Sequence, residues 1–156
     1  MHLRHTIFPL LICVILSTTD LALAESQGWP HWRGPDRTGI SRETGLLQSW
    51  PEGGPKRLWL FSKAGIGYSS FAVVNGYAVT QEQRGKAELI TCYEIKTGAL
   101  VWSFTIENRF ESIIAGTGPR ATPTVHEGIV YALTTNGTLL ALDGANGRLL
   151  WQHNLP

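Results

Sequence analysis

Short apolar runs separated by glycine-bearing turns occupy the chain from residue 57 onward. The first runs are 57–61, 69–74, 76–80, 89–93 and 100–105. The same order returns as 121–125, 129–134, 139–142 and 149–153. Runs of this length bounded by turn residues are typical of strands joined by hairpins. The pattern predicts an all-β fold, with a lone strand over 57–61 and two sets of four antiparallel strands over 69–105 and 121–155.

Paired turn residues mark the predicted hairpins at Asn75-Gly76, Glu127-Gly128 and Asn136-Gly137. Tight hairpin turns need positive φ, which Asn and Gly tolerate best. The two sets of strands are offset by 52 residues at their first turn, 128 minus 76, but by 49 between Trp102 and Trp151. We expect the three extra residues of the first set in its middle turn, around 81–88.

An eleven-residue sequence with a small residue, an acid, a hydroxyl or amide, a Gly and a Trp closes each set of strands. In the second copy these residues are Ala141, Asp143, Asn146, Gly147 and Trp151. In the first copy they are Cys92, Glu94, Thr97, Gly98 and Trp102. The Gly meets the demand of a tight turn, while the acid and its neighbour can hydrogen-bond turn amides. The Trp is large enough to fill the gap between two sheets.

The pattern small-x-acid-x-x-Thr/Asn-Gly-x-x-x-Trp resembles the tryptophan-docking motif of the quinoprotein-type (PQQ-like) β-propeller repeat. The resemblance covers about residues 57–156, with Cys92 and Glu94 in place of the usual Ala and Asp. It implies blades of four antiparallel strands, about two of them here, in a ring of seven or eight. Trp59, on the predicted lone strand, belongs to the same docking set. Residues 29–35 are also similar to the start of many exported bacterial proteins of this class.

Residues 1–24 have the pattern of a secretory signal peptide. Basic Arg4 precedes an apolar run over 7–16, and Ala22-Leu23-Ala24 provides a small-x-small cleavage site. Because that run is short for a membrane span, cleavage after Ala24 is favoured over a membrane anchor. We expect an exported protein, in the periplasm or outside the cell, with no transmembrane span after cleavage. The cleavage site carries no cysteine, so lipid anchoring is not supported.

Residues 25–55 are rich in proline and glycine and contain Trp29, Trp32 and Trp50. This density of breakers excludes a long helix or a central strand, whereas the aromatics argue against a flexible linker. We predict an irregular N-terminal wrap that these aromatics pin to the folded body. Removal of residues 1–24 would leave 132 residues, 156 minus 24. Since propellers have about four to eight blades, we expect a partial reading frame whose other blades come from further chain. The alternative is a short protein that completes its ring with several copies.

Composition and charge restrict the classes of function. The formal net charge of +1 does not favour a nucleic-acid partner. Cys92 is the one cysteine after the predicted signal, and the histidines have no metal-ligand spacing, so no metal site or catalytic residue is predicted. Gly116 to Arg120 has the composition of a phosphate loop but lacks the Lys-Ser/Thr ending. We interpret it as a connection between blades, with Arg120 at the ring face.

These observations favour an exported, non-catalytic propeller scaffold or binding protein, similar to the outer-membrane assembly propellers. Its partner would be a protein or another ligand at the ring face, and no cofactor is predicted. The alternative implied by the resemblance is a PQQ-dependent alcohol or sugar dehydrogenase, which would need PQQ and calcium. The residues do not identify where either would bind.

Overall fold

A computed structural model describes residues 28–156 of the chain, so the predicted signal peptide lies outside the described residues. The strands are β1 (Ala72–Val74), β2 (Tyr77–Arg84), β3 (Ala87–Glu94), β4 (Leu100–Ile106), β5 (Thr124–His126), β6 (Ile129–Leu133), β7 (Thr138–Asp143) and β8 (Leu149–Asn154). They form two antiparallel sheets, β1-β2-β3-β4 and β5-β6-β7-β8, here named blade 1 and blade 2. Within residues 28–156, no helix has the length and apolar character to cross a membrane. The all-β prediction of two four-stranded blades is confirmed.

The predicted hairpin turns at the start of each blade are formed. Asn75 and Gly76 have φ values of 51° and 82°, and Glu127 and Gly128 have 48° and 76°. Positive φ at both central residues is the backbone of the type I′ turn, whose twist matches that of the flanking strands. In each blade, the β1–β2 or β5–β6 turn lies at the same end as the turn before the last strand. We name this end the turn face and the opposite end the connector face.

The extra residues of blade 1 lie in its strands, which corrects the prediction of a longer middle turn. Strands β2 and β3 have 8 residues each, against 5 and 6 in β6 and β7. The connection in blade 1 is the two-residue turn Gly85-Lys86, whereas blade 2 uses the four residues 134–137. The β2–β3 ladder continues from Tyr77↔Glu94 to Arg84↔Ala87 without interruption. Pairing of the added backbone groups makes the longer hairpin favourable.

The lone strand predicted over 57–61 is not formed, because no strand of residues 28–156 pairs with this segment. A strand needs a neighbour to accept its backbone hydrogen bonds, and an apolar run alone does not provide one. The first strand of each blade also begins later than predicted, at Ala72 and Thr124 in place of 69 and 121.

The two blades share one hydrophobic core. Its buried members are Val79, Ile90, Cys92 and Trp102 from blade 1, with Val130, Ala132, Leu140 and Leu142 from blade 2. Buried apolar surface is the main driving force for such sheet packing. Strands β1 and β5 lie side by side, so the first strands of successive blades converge, as expected around a ring axis.

The N-terminal segment joins the free edges of these converging strands. Trp29 exchanges two backbone hydrogen bonds of 2.7 Å with Val73 in β1, and Val125 in β5 donates to the Pro30 carbonyl at 2.8 Å. Trp32 and Trp50, by contrast, are both 68% exposed. The expectation that all three N-terminal aromatics pin the wrap is therefore wrong for these two. Trp29 does hold the segment to the sheet, because its own backbone pairs with a strand edge.

Candidate functional site

The second copy of the repeated motif forms the turn between β7 and β8. The Asp143 amide donates to the Arg148 carbonyl at 2.8 Å, and Gly147 donates back to the Asp143 carbonyl at 2.7 Å. The Asp143 carboxylate accepts from the Ala145 amide at 3.0 Å and from the Asn146 side chain at 3.1 Å. Asn146 Oδ1 in turn accepts from the Arg148 amide at 2.9 Å. The acid and the amide are thus engaged within the turn itself.

The first copy repeats this frame with different side chains. The Glu94 amide donates to the Ala99 carbonyl at 2.9 Å, and the Gly98 amide donates to the Glu94 carbonyl at 2.8 Å. Thr97 Oγ1 donates to the Glu94 carboxylate and accepts from the Ala99 amide at 3.2 Å. Thr therefore takes the place of Asn, and Glu that of Asp, without loss of the turn. Both carboxylates are hydrogen-bonded within their own turns.

The Trp of blade 1 lies on the turn of blade 2. Trp102 Nε1 donates to the Gly144 carbonyl at 2.9 Å. Gly147, with φ of 75°, lies so close beneath the ring that an added Cβ would be 2.6 Å from it. Two constraints require glycine at position 147. Other residues disfavour this φ, and any side chain would have no room beneath the indole.

An equivalent contact joins the segment before blade 1 to that blade. Trp59 Nε1 donates to the Ile95 carbonyl at 2.7 Å, and a Cβ on Gly98 would lie 2.4 Å from the Trp59 ring. Ile95 and Gly98 precede Gly144 and Gly147 by the 49-residue offset of the motif. Trp59 reaches this place although it is not on a strand. The contact of Trp with the next turn therefore occurs twice in succession.

Trp151, the third Trp in this series, has a different environment. Its side chain is 45% exposed, whereas Trp102 is buried. The Tyr131 ring, in the same sheet, lies 6.0 Å from the Trp151 ring. Within residues 28–156, no following turn covers Trp151. Blade 2 consequently presents a partly exposed aromatic surface that includes Tyr131 and Trp151.

The small position of the motif lies across the strand pair from the Trp. Cys92 pairs with Trp102 and Ala141 with Trp151, and a register shift follows each small residue. Both small residues are buried. Burial raises the pKa of the Cys92 thiol to about 11, so the neutral form is maintained at physiological pH. Cys92 is thus a packing residue and a poor nucleophile.

A buried carboxylate on the connector face was not anticipated from the sequence. Glu88 is 1% exposed and accepts hydrogen bonds from Gln81 at 3.2 Å and from Asn108 at 2.7 Å. It also accepts from the amide and hydroxyl of Thr135 in blade 2, at 3.1 Å and 2.7 Å. Gln81 donates to the Leu133 carbonyl at 3.0 Å. This network joins the two blades opposite the Trp contact.

A second polar cluster lies further along the same hairpin. The buried Glu82 carboxylate accepts from Arg84, from the Tyr93 hydroxyl and from the Gly65 amide. The Phe61 ring lies 4.9 Å from that of Tyr93. Burial raises the pKa of Tyr93, and the neighbouring Glu82 carboxylate acts in the same direction. The extra length of the first repeat was the one feature of the sequence that could have indicated these two clusters. The polar residues at 81–88 otherwise resemble those of an exposed turn.

The carboxylates and the cysteine of the repeated motif already have structural partners. No group of three or more His, Cys, Asp or Glu side chains among residues 28–156 is arranged to hold a metal ion. Glu94 and Asp143 are engaged in their turns, and Cys92 is buried in the core. Calcium needs several oxygen ligands directed at one point, and these carboxylates belong to separate turns.

Two four-stranded blades, with a Trp of one unit laid on the turn of the next, define a PQQ-like β-propeller repeat protein. The family described as outer membrane protein assembly factor BamB matches residues 22–156, and the chain belongs to that family.

Individual relatives show the same likeness over short lengths. The chain is 30% identical over 95 residues to outer membrane protein assembly factor BamB of Yersinia pestis, covering 57% of this chain and 22% of that protein. It is 33% identical over 69 residues to the tetrathionate hydrolase of Acidithiobacillus ferrooxidans, covering 44% and 13%. The matched region therefore spans less than a quarter of either relative.

A solved structure supports the fold. The quinohemoprotein alcohol dehydrogenase from Comamonas testosteroni is similar with a TM-score of 0.54 and 19% identity, over 84% of this chain and 20% of that one. At this level of identity the likeness concerns the fold alone.

Proposed function

We propose that this chain is part of an exported, non-catalytic β-propeller scaffold that binds a protein partner on its connector face. In this proposal the repeated motif is the joint that docks each blade on the next. The Trp–turn contacts at Trp59 and Trp102 support the joint role. The similarity to outer membrane assembly factors supports an exported protein with an envelope partner.

The binding role is argued from two exposed aliphatic side chains on the connection between the blades. Ile113 and Ile114 are essentially fully exposed, although the connection is ordered by its own hydrogen bonds. Ser112 and Gly116 pair through their backbones at 2.8 and 3.2 Å, and Gly118 donates to the Phe110 carbonyl at 3.1 Å. Two adjacent aliphatic side chains on a tied loop form an apolar contact that a protein partner could bury.

The N-terminal segment supports a structural role for the strand edges that face the ring axis. Residues 28–30 already occupy backbone groups on the free edges of β1 and β5, through Val73 and Val125. Those edges face the axis in a propeller. Filling them with the protein's own chain fits a scaffold whose ligands approach a face of the ring.

A double variant, Ile113→Ser with Ile114→Ser, tests the binding role in the natural host. In-cell cross-linking followed by quantitative mass spectrometry should show about a tenfold loss of the partner, the size expected on removal of apolar anchors. The matched control is Ile40→Ser with Leu47→Ser, which removes exposed aliphatics from the N-terminal segment. Equal capture by the wild type and the loop variant would contradict the proposal.

The dehydrogenase alternative is tested with the same protein. Incubation with PQQ and Ca²⁺, followed by an assay of alcohol-dependent dye reduction, should give no turnover. Stoichiometric binding of the quinone together with turnover would overturn the non-catalytic role.

A further inference from the structure

Arg120 occupies a repeated position four residues before the first strand of blade 2, 124 minus 120. Tyr68-Ser69-Ser70 and Arg120-Ala121-Thr122 correspond at the 52-residue offset. The two segments are adjacent in space, since the Ser70 amide donates to Thr122 Oγ1 at 3.1 Å. Tyr68 and Arg120 are therefore equivalent residues of neighbouring blades, both on the connector face.

The side chain of Arg120 is held by aromatic rings. Its guanidinium carbon lies over the Tyr68 ring at 4.8 Å from the centroid, and over the Phe110 ring at 5.5 Å. Arg84, Arg109 and Arg148 each pair with a carboxylate, but no ion pair formed by residues 28–156 involves Arg120. Within residues 28–156, the one hydrogen bond of the Arg120 side chain is a long contact, 3.4 Å, from Nη1 to the Gly118 carbonyl.

This arrangement leaves the hydrogen-bond donors of Arg120 available. A guanidinium carries five N–H donors in its own plane, so rings over its faces do not consume them. Cation–π contacts also restrict the side chain, which lowers the entropic cost of binding an anion. A planar donor fork of this kind matches the two oxygens of a carboxylate.

The rings are themselves fixed by backbone contacts between the two segments. The Tyr68 amide donates to the Pro119 carbonyl at 2.7 Å. Gly116 lies directly against the Tyr68 side chain, where an added Cβ would be 2.2 Å from the hydroxyl. Phe110 donates its amide to Gln83 Oε1 at 3.0 Å. Backbone contacts thus fix the segments that carry the Arg120 cation and both rings relative to one another.

Exposed aliphatic residues lie on the two segments that carry Arg120 and Tyr68. Ile113 and Ile114 lie on the same connection, and Ile66 lies on the segment that leads to Tyr68. Apolar side chains on the same segments as a guanidinium that has no ion pair among residues 28–156 favour a ligand in which acidic and aliphatic side chains alternate.

We propose that Arg120, held by Tyr68 and Phe110, is the anchor for an acidic, aliphatic peptide segment of the protein partner. A carboxylate of that segment pairs with the guanidinium fork, and its aliphatic neighbours contact Ile113 and Ile114. This assignment rests on the scaffold function proposed above and names the chemistry of its partner.

Synthetic peptides test this assignment on the full-length protein. The probe is a fluorescein-labelled peptide of alternating Leu and Asp, and the matched peptide has Asn in place of each Asp. The wild type should bind the acidic peptide at least about tenfold more tightly, as expected for a charged hydrogen-bonded pair. Arg120→Gln should abolish this preference, and Arg120→Lys should retain only part of it because Lys has no planar fork.

Arg148→Gln is the control, because it removes an exposed guanidinium from the turn face. It should leave the preference unchanged. The inference is overturned if neither peptide binds, if both bind equally, or if Arg120→Gln keeps the preference. Binding to anionic phospholipid vesicles that depends on Arg120, without a preference between the peptides, would also overturn it. The scaffold proposal is judged separately, by partner capture with the Ile113/Ile114 variant.

Discussion

At the scale of single residues, the size of the residue at position 92 is limited by the Trp102 indole opposite it. Cys92 and Ala141 occupy the same position of the repeat, both buried and both paired across the strand with a Trp. A small side chain there leaves room for the large one. Ala at the second copy indicates that Cys92→Ala is sterically acceptable in the first.

The thiol of Cys92 should make stability depend on pH. Burial raises its pKa from 9.0 to about 11, so the folded state holds the proton more tightly than the unfolded state. The stabilisation is fully present below pH 9 and is lost as the pH rises to about 11. Across this window the wild type should lose about 2 to 3 kcal/mol more unfolding free energy than Cys92→Ala.

Denaturant titrations of both proteins at several pH values measure this difference. Tyr93, whose pKa is also raised by burial, is present in both proteins, so its contribution cancels. Parallel stability profiles for the two proteins would show that ionisation of Cys92 does not matter to folding.

At the scale of elements, the long β2–β3 hairpin distinguishes blade 1 from blade 2. Its two strands carry Gln81 and Glu88, whose side chains reach Leu133 and Thr135 of the other blade. A buried carboxylate is costly unless it is fully hydrogen-bonded. The four donors around Glu88 supply these bonds, so the hairpin serves as a polar clamp between blades.

Glu88→Gln should destabilise the fold by about 1 to 3 kcal/mol. The new amide would place a donor against the Asn108 and Thr135 donors, which now contact the Glu88 carboxylate. Urea unfolding followed by tryptophan fluorescence measures the change. Glu107→Gln, an exposed substitution nearby, should shift stability by less than about 0.5 kcal/mol. Equal effects of the two substitutions would show that the clamp adds nothing to stability.

At the scale of the whole molecule, Trp–turn contacts recur between successive units. Trp59 and Trp102 each donate to a carbonyl of the following turn. Trp151 has the same place in its blade but is half-exposed within the described residues. The energetic role of a repeated Trp is therefore set by whether a further unit lies against it.

Trp102→Ala should cost about 3 to 5 kcal/mol of unfolding free energy, because it removes a buried indole from the joint. Trp151→Ala is the matched control, and in this 156-residue chain it should cost under about 1.5 kcal/mol. In a longer protein with another blade after Trp151, we expect its cost to rise to that of Trp102. Equal costs for the two substitutions in this chain would contradict the joint model. Differential scanning calorimetry of the purified variants provides the comparison.

Much of the fold could be predicted because its determinants are local. Positive φ at Asn75-Gly76 and Glu127-Gly128 follows from turn chemistry, and the apolar runs between turns predict strands. The structure has these turns at the predicted residues. The positions of Gly147 and Trp151 in a repeating pattern were sufficient to predict two similar sheets.

The sequence by itself determined the class of fold, the presence of two blades within residues 57–156 and the residues of the repeated turns. Tertiary structure decided which Trp is buried, that 57–61 has no strand partner, and that Glu88 lies in a network between blades. It also decided that Arg120 lies over Tyr68. Turns and strands depend on neighbours a few residues away, whereas burial and ion pairing depend on groups that only the packed sheets bring together.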